Sequence, residues 1–317
     1  QLAIDSAGSD PIPHILGGIP LRLRDIRVYM DRPEFTRNPT SCEPSDLTST
    51  LTGSGANFED PGDDSSATVG VHFQLLNCGT LGYSPTLGLK LRGGTRRNTY
   101  PSLQAVVQGR PGDANLKRFV VTMPHSLFLA QNHIRSICTR AQFSENACPA
   151  SSVYGHAVAF TPLLDEPLRG DVYLRSSDNK LPDLVTSLYS GEIHIVIDGR
   201  IGPAHRGIRA TFEDLPDAPL TRFVMKLRGG KHGLLVNSAD ICAQPPAATV
   251  KAIGQNSRGA EFRSVLRSES CKKHKKHKKH KKRHKKHRHK HGRKGHGKKR
   301  KHRRAAVASA VERGRVR

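Results

Sequence analysis

The stretch Tyr154-Gly-His-Ala-Val-Ala-Phe-Thr-Pro-Leu-Leu-Asp-Glu-Pro-Leu-Arg-Gly-Asp-Val-Tyr-Leu-Arg-Ser-Ser177 decides the fold class. Residues 153–160 put Val153, Gly155, Ala157 and Ala159 on one side and Tyr154, His156, Val158 and Phe160 on the other, which is the period of a strand. Pro162 and Pro167 then exclude a helix before the next strand, Val172–Arg175, because each removes a backbone donor and fixes φ. The centre of the chain is therefore sheet, built by turns. Just upstream, Cys138 and Cys148 bracket a short polar segment.

The same pattern extends outward in both directions. Upstream, Leu47–Thr52, Ala67–Leu76, Leu87–Leu91, Ser102–Gln108 and Leu116–Thr122 read as strands, the last two joined by the turn Gly109–Asp113. Further upstream, Leu21–Met30 reads as a strand with a charged face and a change of phase at Asp25 that indicates a bulge. Gly53–Ser66 is a polar Gly/Asp-rich loop. Downstream, strands are expected at Glu192–Asp198, Ile208–Phe212, Leu220–Leu227, Gly233–Val236 and Ala247–Ile253. One helix is expected, over Ser126–Ile137, where Leu127, Ala130, Ile134 and Ile137 recur near helical spacing. Pro182–Leu188 reads as at most one or two helical turns.

Regular short strands with Gly, Pro, Asn and Asp between them are the signature of a sandwich or barrel. The expectation is a mainly β protein of two consecutive immunoglobulin-like or related β-sandwich domains. These would span residues 1–95 and 96–271, the second with a short helix near 126–137, followed by a disordered polybasic tail at 272–317. One echo supports duplication: Gly88-Leu-Lys-Leu-Arg-Gly-Gly94 and Val224-Met-Lys-Leu-Arg-Gly-Gly230. The plainer explanation is two strands that each end in a turn. Gln1–Asp5 reads as a strand end with no turn before it, which points to a longer chain upstream.

Charge is distributed unevenly. The chain of 317 residues carries a formal +25, and its hydrophobic fraction of 35% is low for a wholly folded protein. Lys272–Arg304 alone holds 15 Lys, 6 Arg and 9 His, whereas residues 1–271 sum to +2. The basicity belongs to the tail and says little about the folded surface.

Six cysteines, Cys42, Cys78, Cys138, Cys148, Cys242 and Cys271, contain no Cys-x-x-Cys pair and no zinc-finger spacing. An even number in sheet-like sequence favours disulfides and an oxidising compartment. Of the fifteen connectivities open to six cysteines, pairing of neighbours along the chain is preferred: Cys42 with Cys78, Cys138 with Cys148, and Cys242 with Cys271. Six reduced, buried cysteines are the alternative.

Several runs together resemble a known family. Asn38-Pro-Thr-Ser-Cys42, Thr161–Leu168, Val172–Ser177, Leu181–Val185, Phe212–Pro219, Gly233–Ser238 and Gly254-Gln-Asn256 are similar to a family of secreted or surface proteins of actinobacteria for which no activity is established. The resemblance spans roughly residues 15–271. It implies an extracellular or cell-surface location and transfers no site residue.

No catalytic signature is present: no Gly-x-Ser-x-Gly elbow, His-Glu-x-x-His, Walker loop or dinucleotide fingerprint. The acidic pairs Asp63-Asp64, Asp165-Glu166 and Glu213-Asp214 are adjacent, so on a strand they would face opposite ways rather than act as acid and base. His125, His133, His156, His194, His205 and His232 are scattered. Glu59–Asp64 is acidic but lacks the ligand alternation of an EF-hand. The reading is a protein with no catalytic site.

The tail has a definite physical chemistry. Lys-Lys-His repeats three times from Lys272 to His280, and no apolar residue precedes Ala305, so the segment has nothing to bury against its chain entropy. Lys272, Lys273, Lys275, Lys276, Lys278, Lys279, Lys281, Lys282, Arg283, Lys285 and Lys286 form a polycation that gains affinity for any polyanion by counterion release. Outside a cell the partners are anionic cell-wall polymers, lipid headgroups or extracellular DNA. No aromatic residue offers a stacking platform. His274, His277, His280, His284 and His287, held neutral by surrounding cations, form a weak candidate site for Zn, Ni or Cu; no other cofactor is implied. The sequence thus favours a secreted or surface adhesion-type protein whose tail binds envelope polymers. The alternatives are an intracellular protein binding nucleic acid non-specifically through the tail, or a cell-wall hydrolase whose acidic residues converge from separate strands.

Overall fold

The computed structural model describes residues 15–21, 24, 25, 27, 29, 37–53, 62, 64–204 and 207–271. It divides into two compact units, Gln1–Leu76 and Asn77–Arg317. The expectations for Gln1–Asp5, for half of Leu21–Met30, for most of Gly53–Ser66 and for the whole tail lie outside the described residues; the described half of Leu21–Met30 carries no strand.

The first unit holds two hairpins. In the smaller, β1 (Ile15–Leu16) pairs with β2 (Ile19–Pro20) across Gly17 and Gly18, whose φ angles of 57° and 83° suit a tight primed turn. In the larger, β3 (Ser45–Gly53) pairs antiparallel with β4 (Ser65–Phe73) in continuous register from Ser45↔Phe73 to Gly53↔Ser65. One face of this ribbon carries Leu47, Leu51, Val69 and Val71, all exposed. The other is polar and is tied across the strands by His72 to Asp46, by the Thr50 and Thr68 hydroxyls at 3.3 Å, and by those of Thr52 and Ser66 at 2.9 Å.

The second unit is a closed barrel of eleven strands. In chain order these are β5 (Thr86–Arg92), β6 (Ser102–Gln108), β7 (Leu116–Thr122), β9 (Val153–Phe160), β10 (Leu168–Arg175), β11 (Asp183–Ser190), β12 (Ile193–Ala204), β13 (Gly207–Phe212), β14 (Arg222–Leu227), β16 (Ala247–Gly254) and β17 (Gly259–Ser268). Two short strands outside the ring, β8 (Leu127–Leu129) and β15 (Leu235–Asn237), pair with each other. Around the ring the order is β10-β11-β12-β13-β7-β16-β17-β5-β6-β14-β9. Every contact is antiparallel except β17 with β5, which are parallel through Leu266↔Leu89, Arg267↔Lys90 and Ser268↔Leu91. An odd ring cannot alternate direction all the way round, so one parallel seam is obligatory.

Alternation supplies the interior. Leu87, Leu89 and Leu91 of β5, Leu103 and Val107 of β6, Phe223, Met225 and Leu227 of β14, and Ala248, Val250 and Ala252 of β16 are all buried, with polar residues between most of them. Around β9, β10 and β11 the inward residues include Gly155, Ala157, Ala159 and Gly170, and the backbones approach closely. A Cβ on Gly170 would overlap the Ser187 carbonyl oxygen and lie 3.1 Å from Leu188 Cα. The β9–β10 register also shifts between Val172 and Tyr173, a bulge that sharpens the bend at this corner.

The β-rich class stands, but the two-sandwich arrangement does not. Leu87–Leu91, read as closing a first sandwich, belongs to β5 and pairs with strands on both sides within one barrel. The expected helix over 126–137 is instead β8 followed by a 3-10 turn at Gln131–His133, with Leu127 and Ala130 buried. An α-helix begins just beyond that segment: α1 (Arg140–Ser144) is capped by Thr139, whose hydroxyl accepts from the Gln142 amide while the Gln142 side chain accepts from the Thr139 amide. The segment Pro182–Leu188 is not helical, since Asp183 onward belongs to β11, and β17 has no counterpart among the strands expected from the sequence. Cys138–Cys148 and Cys242–Cys271 are disulfides, Cys42 and Cys78 are also disulfide-bonded, and no cysteine is free.

Gly170→Ala is expected to lower the unfolding free energy by about 1–3 kcal/mol, because the added methyl must push a ladder carbonyl aside. Urea unfolding of the full chain measures it, and an unchanged midpoint would contradict the close approach.

Candidate functional site

The barrel interior holds a partly open cavity of about 170 Å³. Its wall comes from two arcs of the ring, β11-β12-β13-β7 and β5-β6-β14, and from the β8–β15 pair, among them Leu89, Ala105, Phe119, Ile201, Phe212 and Met225. Every residue of the wall is apolar except Arg209, which is itself exposed to solvent. The cavity follows from strand number: eight strands make a barrel that side chains can fill, and eleven enclose more space than these side chains occupy. Unfilled apolar space costs roughly 24 cal/mol per Å³, so a cavity of this size forgoes about 4 kcal/mol of packing. With no hydrogen-bonding group directed into it, the cavity can discriminate by shape and hydrophobicity only.

The outer face of β9 to β12 is polar and partly covered. Cys138 joins β10 edge to edge, its amide donating to Leu174 O at 2.8 Å and its carbonyl accepting from Ser176 N at 2.8 Å. The disulfide loop that follows sets Phe143 edge-on to Tyr173 at 5.9 Å and beneath the Arg175 guanidinium at 5.3 Å. Arg175 is shared by two carboxylates, Asp198 at 3.1 Å and Asp183 at 3.9 Å. Arg175 Nε and Asp183 Oδ1 are buried without a hydrogen-bond partner. Burial pushes the Asp183 carboxyl above its ordinary value, with Asp198 adding to the rise and Arg175, Asn179 and Arg200 opposing it.

The histidines occupy separate positions. His156 Nδ1 meets Asp171 Oδ1 at 2.6 Å, and His194 Nε2 meets Ser187 Oγ at 2.8 Å while its ring stacks on Tyr189. His133 stacks on Tyr100 and bonds the Gly233 carbonyl. Among the described residues no three His, Cys, Asp or Glu side chains converge as a metal site. Of the adjacent acids, Glu213 pairs with Arg118 at 2.7 Å across strands. The tail lysines and histidines singled out in the sequence lie outside the described residues. The cavity was not legible in advance, since its wall draws on strands from β5 to β14 that only closure brings together. No helix among the described residues is long and apolar enough to cross a membrane. No family model, curated protein or solved structure matches the chain.

The raised Asp183 value has a definite sign. A carboxyl that holds its proton more tightly folded than unfolded lowers stability as pH rises from its ordinary 3.8 through the folded value. Asp183→Asn removes that contribution and leaves Arg175 its bond to Asp198. The difference in urea-unfolding free energy, variant minus wild type, should grow in the variant's favour between pH 4 and pH 7. A difference that shrinks would show the ion pair with Arg175 to dominate.

Proposed function

We propose that this chain is a non-catalytic binding protein of the extracellular space or cell surface. Its barrel receives an uncharged hydrocarbon group, and its tail tethers it to anionic polymers. The observation that carries the reading is the cavity of about 170 Å³ with an apolar wall. A space near 150 Å³ with such walls stays dry and takes up benzene-sized molecules. The ligand class that fits is therefore a small hydrocarbon or the end of an isoprenoid or acyl chain, with no polar group to orient it. Three disulfides favour the oxidising compartment, and the sequence resemblance points the same way. The tail's charge supports the tether.

Benzene, followed by calorimetric titration, tests the cavity. Wild type should bind it. Ala105→Phe, which projects a ring into the same space, should lose that binding at least tenfold while unfolding at equal or higher urea concentration. Equal binding by both proteins would refute the assignment. The compartment has its own check, a thiol count on denatured protein from the native host. No free thiols before reduction and six after it are expected, and six in both would place the protein in a reducing environment.

A further inference from the structure

The repeated Lys-Leu-Arg-Gly-Gly motif puts none of its charged side chains into the cavity, yet the fold places its two copies side by side. β6 lies between β5 and β14, so those two strands run in the same direction and leave the barrel at the same end. Lys90 and Lys226 both stand opposite Gln104. Arg92 stands opposite Ser102 on one side, and Arg228, one residue beyond the Leu227↔Leu103 pair, flanks it on the other. The intervening Leu91, Leu227 and Leu103 point inward and are buried, so all four cations project outward. Neighbouring strands lie about 4.8 Å apart and alternate residues about 7 Å apart, giving a grid of four cations about 10 Å by 7 Å. Across the parallel seam Arg267 extends the row beside Lys90. Arg96 and Lys231, both exposed, sit in the loops that follow the two Gly-Gly turns.

The charge on this face is poorly compensated. Glu269 pairs with Lys90 at 2.7 Å and approaches Arg92 at 3.6 Å. Lys226, Arg228 and Arg267 have no ion pair among the described residues. Residues 77–271 contain 23 Lys and Arg against 15 Asp and Glu, so the barrel sequence is basic although residues 1–271 as a whole are nearly neutral. The polybasic segment begins beside the same grid. Ser270 Oγ donates to Gly93 O at 3.0 Å, in the first Gly-Gly turn, and Cys271 is fixed by its disulfide to Cys242 before Lys272 opens the tail.

We propose that this face is a docking site for a flexible phosphodiester polymer of the cell-wall type. It would hold one stretch of the chain while the tail engages the next. Arg92, Arg228 and the neighbouring Arg267 supply guanidinium groups, which bind phosphate oxygens in a bidentate fork. A convex face presenting two rows of cations suits a chain that can bend over both. The tether reading supplies the partner class, but the grid is a separate site and can fail on its own.

The test uses full-length protein with its tail intact and fluorescently labelled poly(glycerol phosphate), followed by anisotropy from 50 to 300 mM NaCl. The grid variant carries Lys90→Gln, Arg92→Gln, Lys226→Gln and Arg228→Gln. A control removes four exposed charges elsewhere: Arg135→Gln, Lys180→Gln, Arg200→Gln and Arg258→Gln. The grid variant should bind about tenfold or more weakly than the control at 100 mM NaCl. Its slope of log K against log salt should be shallower by roughly 2–3, at about 0.7 for each phosphate no longer neutralised. Grid and control falling equally would overturn the docking site while leaving the tail as a tether. No binding by wild type would overturn both. If the grid variant lost affinity for duplex DNA and kept it for poly(glycerol phosphate), the wall-polymer assignment would be wrong.

Discussion

The parallel seam between β5 and β17 is the constraint on which the rest depends. Eleven strands cannot close with antiparallel contacts alone, and this pair is where the parity is resolved. Three register pairs make the seam, and the buried Ser264 hydroxyl adds a bond of 2.6 Å to the Leu87 carbonyl. Such a bond, shielded from water, is costly to lose because its donor and acceptor would be left unpaired. If the seam opened, Leu89 and Leu266 would meet solvent and the interior would become one face of an open sheet. The cavity exists because the sheet is closed there, and the grid has its width because Arg267 lies beside Lys90.

The disulfides act at the margins of this closure. Cys242–Cys271 joins the segment entering β16 to the end of β17, the hairpin that forms one side of the seam. In a chain-entropy account, closing a loop of that length restricts the unfolded chain by about 3–4 kcal/mol. Cys138–Cys148 works differently. It closes a loop that adds to the edge of β10 and covers part of the outer sheet with Phe143. Burial there is what leaves Arg175 and Asp183 short of water, and it is why the carboxyl's protonation is raised.

Local order was legible in the sequence, and closure was not. β6, β7 and β9 begin and end where the strand period of their sequences puts them, with Leu103, Val107, Phe119, Ala157 and Ala159 on the inward face. β11 does not show itself in this way because Asp183–Leu188 is buried on both faces. Val185 lies fully buried on the outer face beside Tyr173, against which the disulfide loop sets Phe143, so the alternation that marks a half-buried strand is absent. The 126–137 segment misleads for the opposite reason. Leu127 is buried from a strand, and Ile134 packs on the core from beyond a 3-10 turn, so a helical spacing arises from two unrelated elements. The capping box Thr139-Arg-Ala-Gln142 is the local signal that marks the true helix. Nothing local announces the barrel, since the seam joins residues 177 apart in sequence and the sandwich and barrel share the same strand signature.

One set of strands serves two chemistries because a strand has two faces. On β5, β6 and β14 the inward positions, Leu89, Ala105 and Met225, line the apolar cavity, while the outward positions, Lys90, Gln104 and Lys226, belong to the cationic surface. Adjacent residues therefore belong to different solvents, and a register slip of one would exchange them, placing lysines in the cavity and leucines in water. Burying a single unpaired ammonium would cost more than the roughly 4 kcal/mol that the cavity forgoes. Register is for this reason fixed more strongly here than either face alone would require. The repeat Lys-Leu-Arg-Gly-Gly is then understandable without invoking duplication of a domain. At both sites the same pentapeptide must point a leucine inward between two outward cations and then end the strand at a glycine turn.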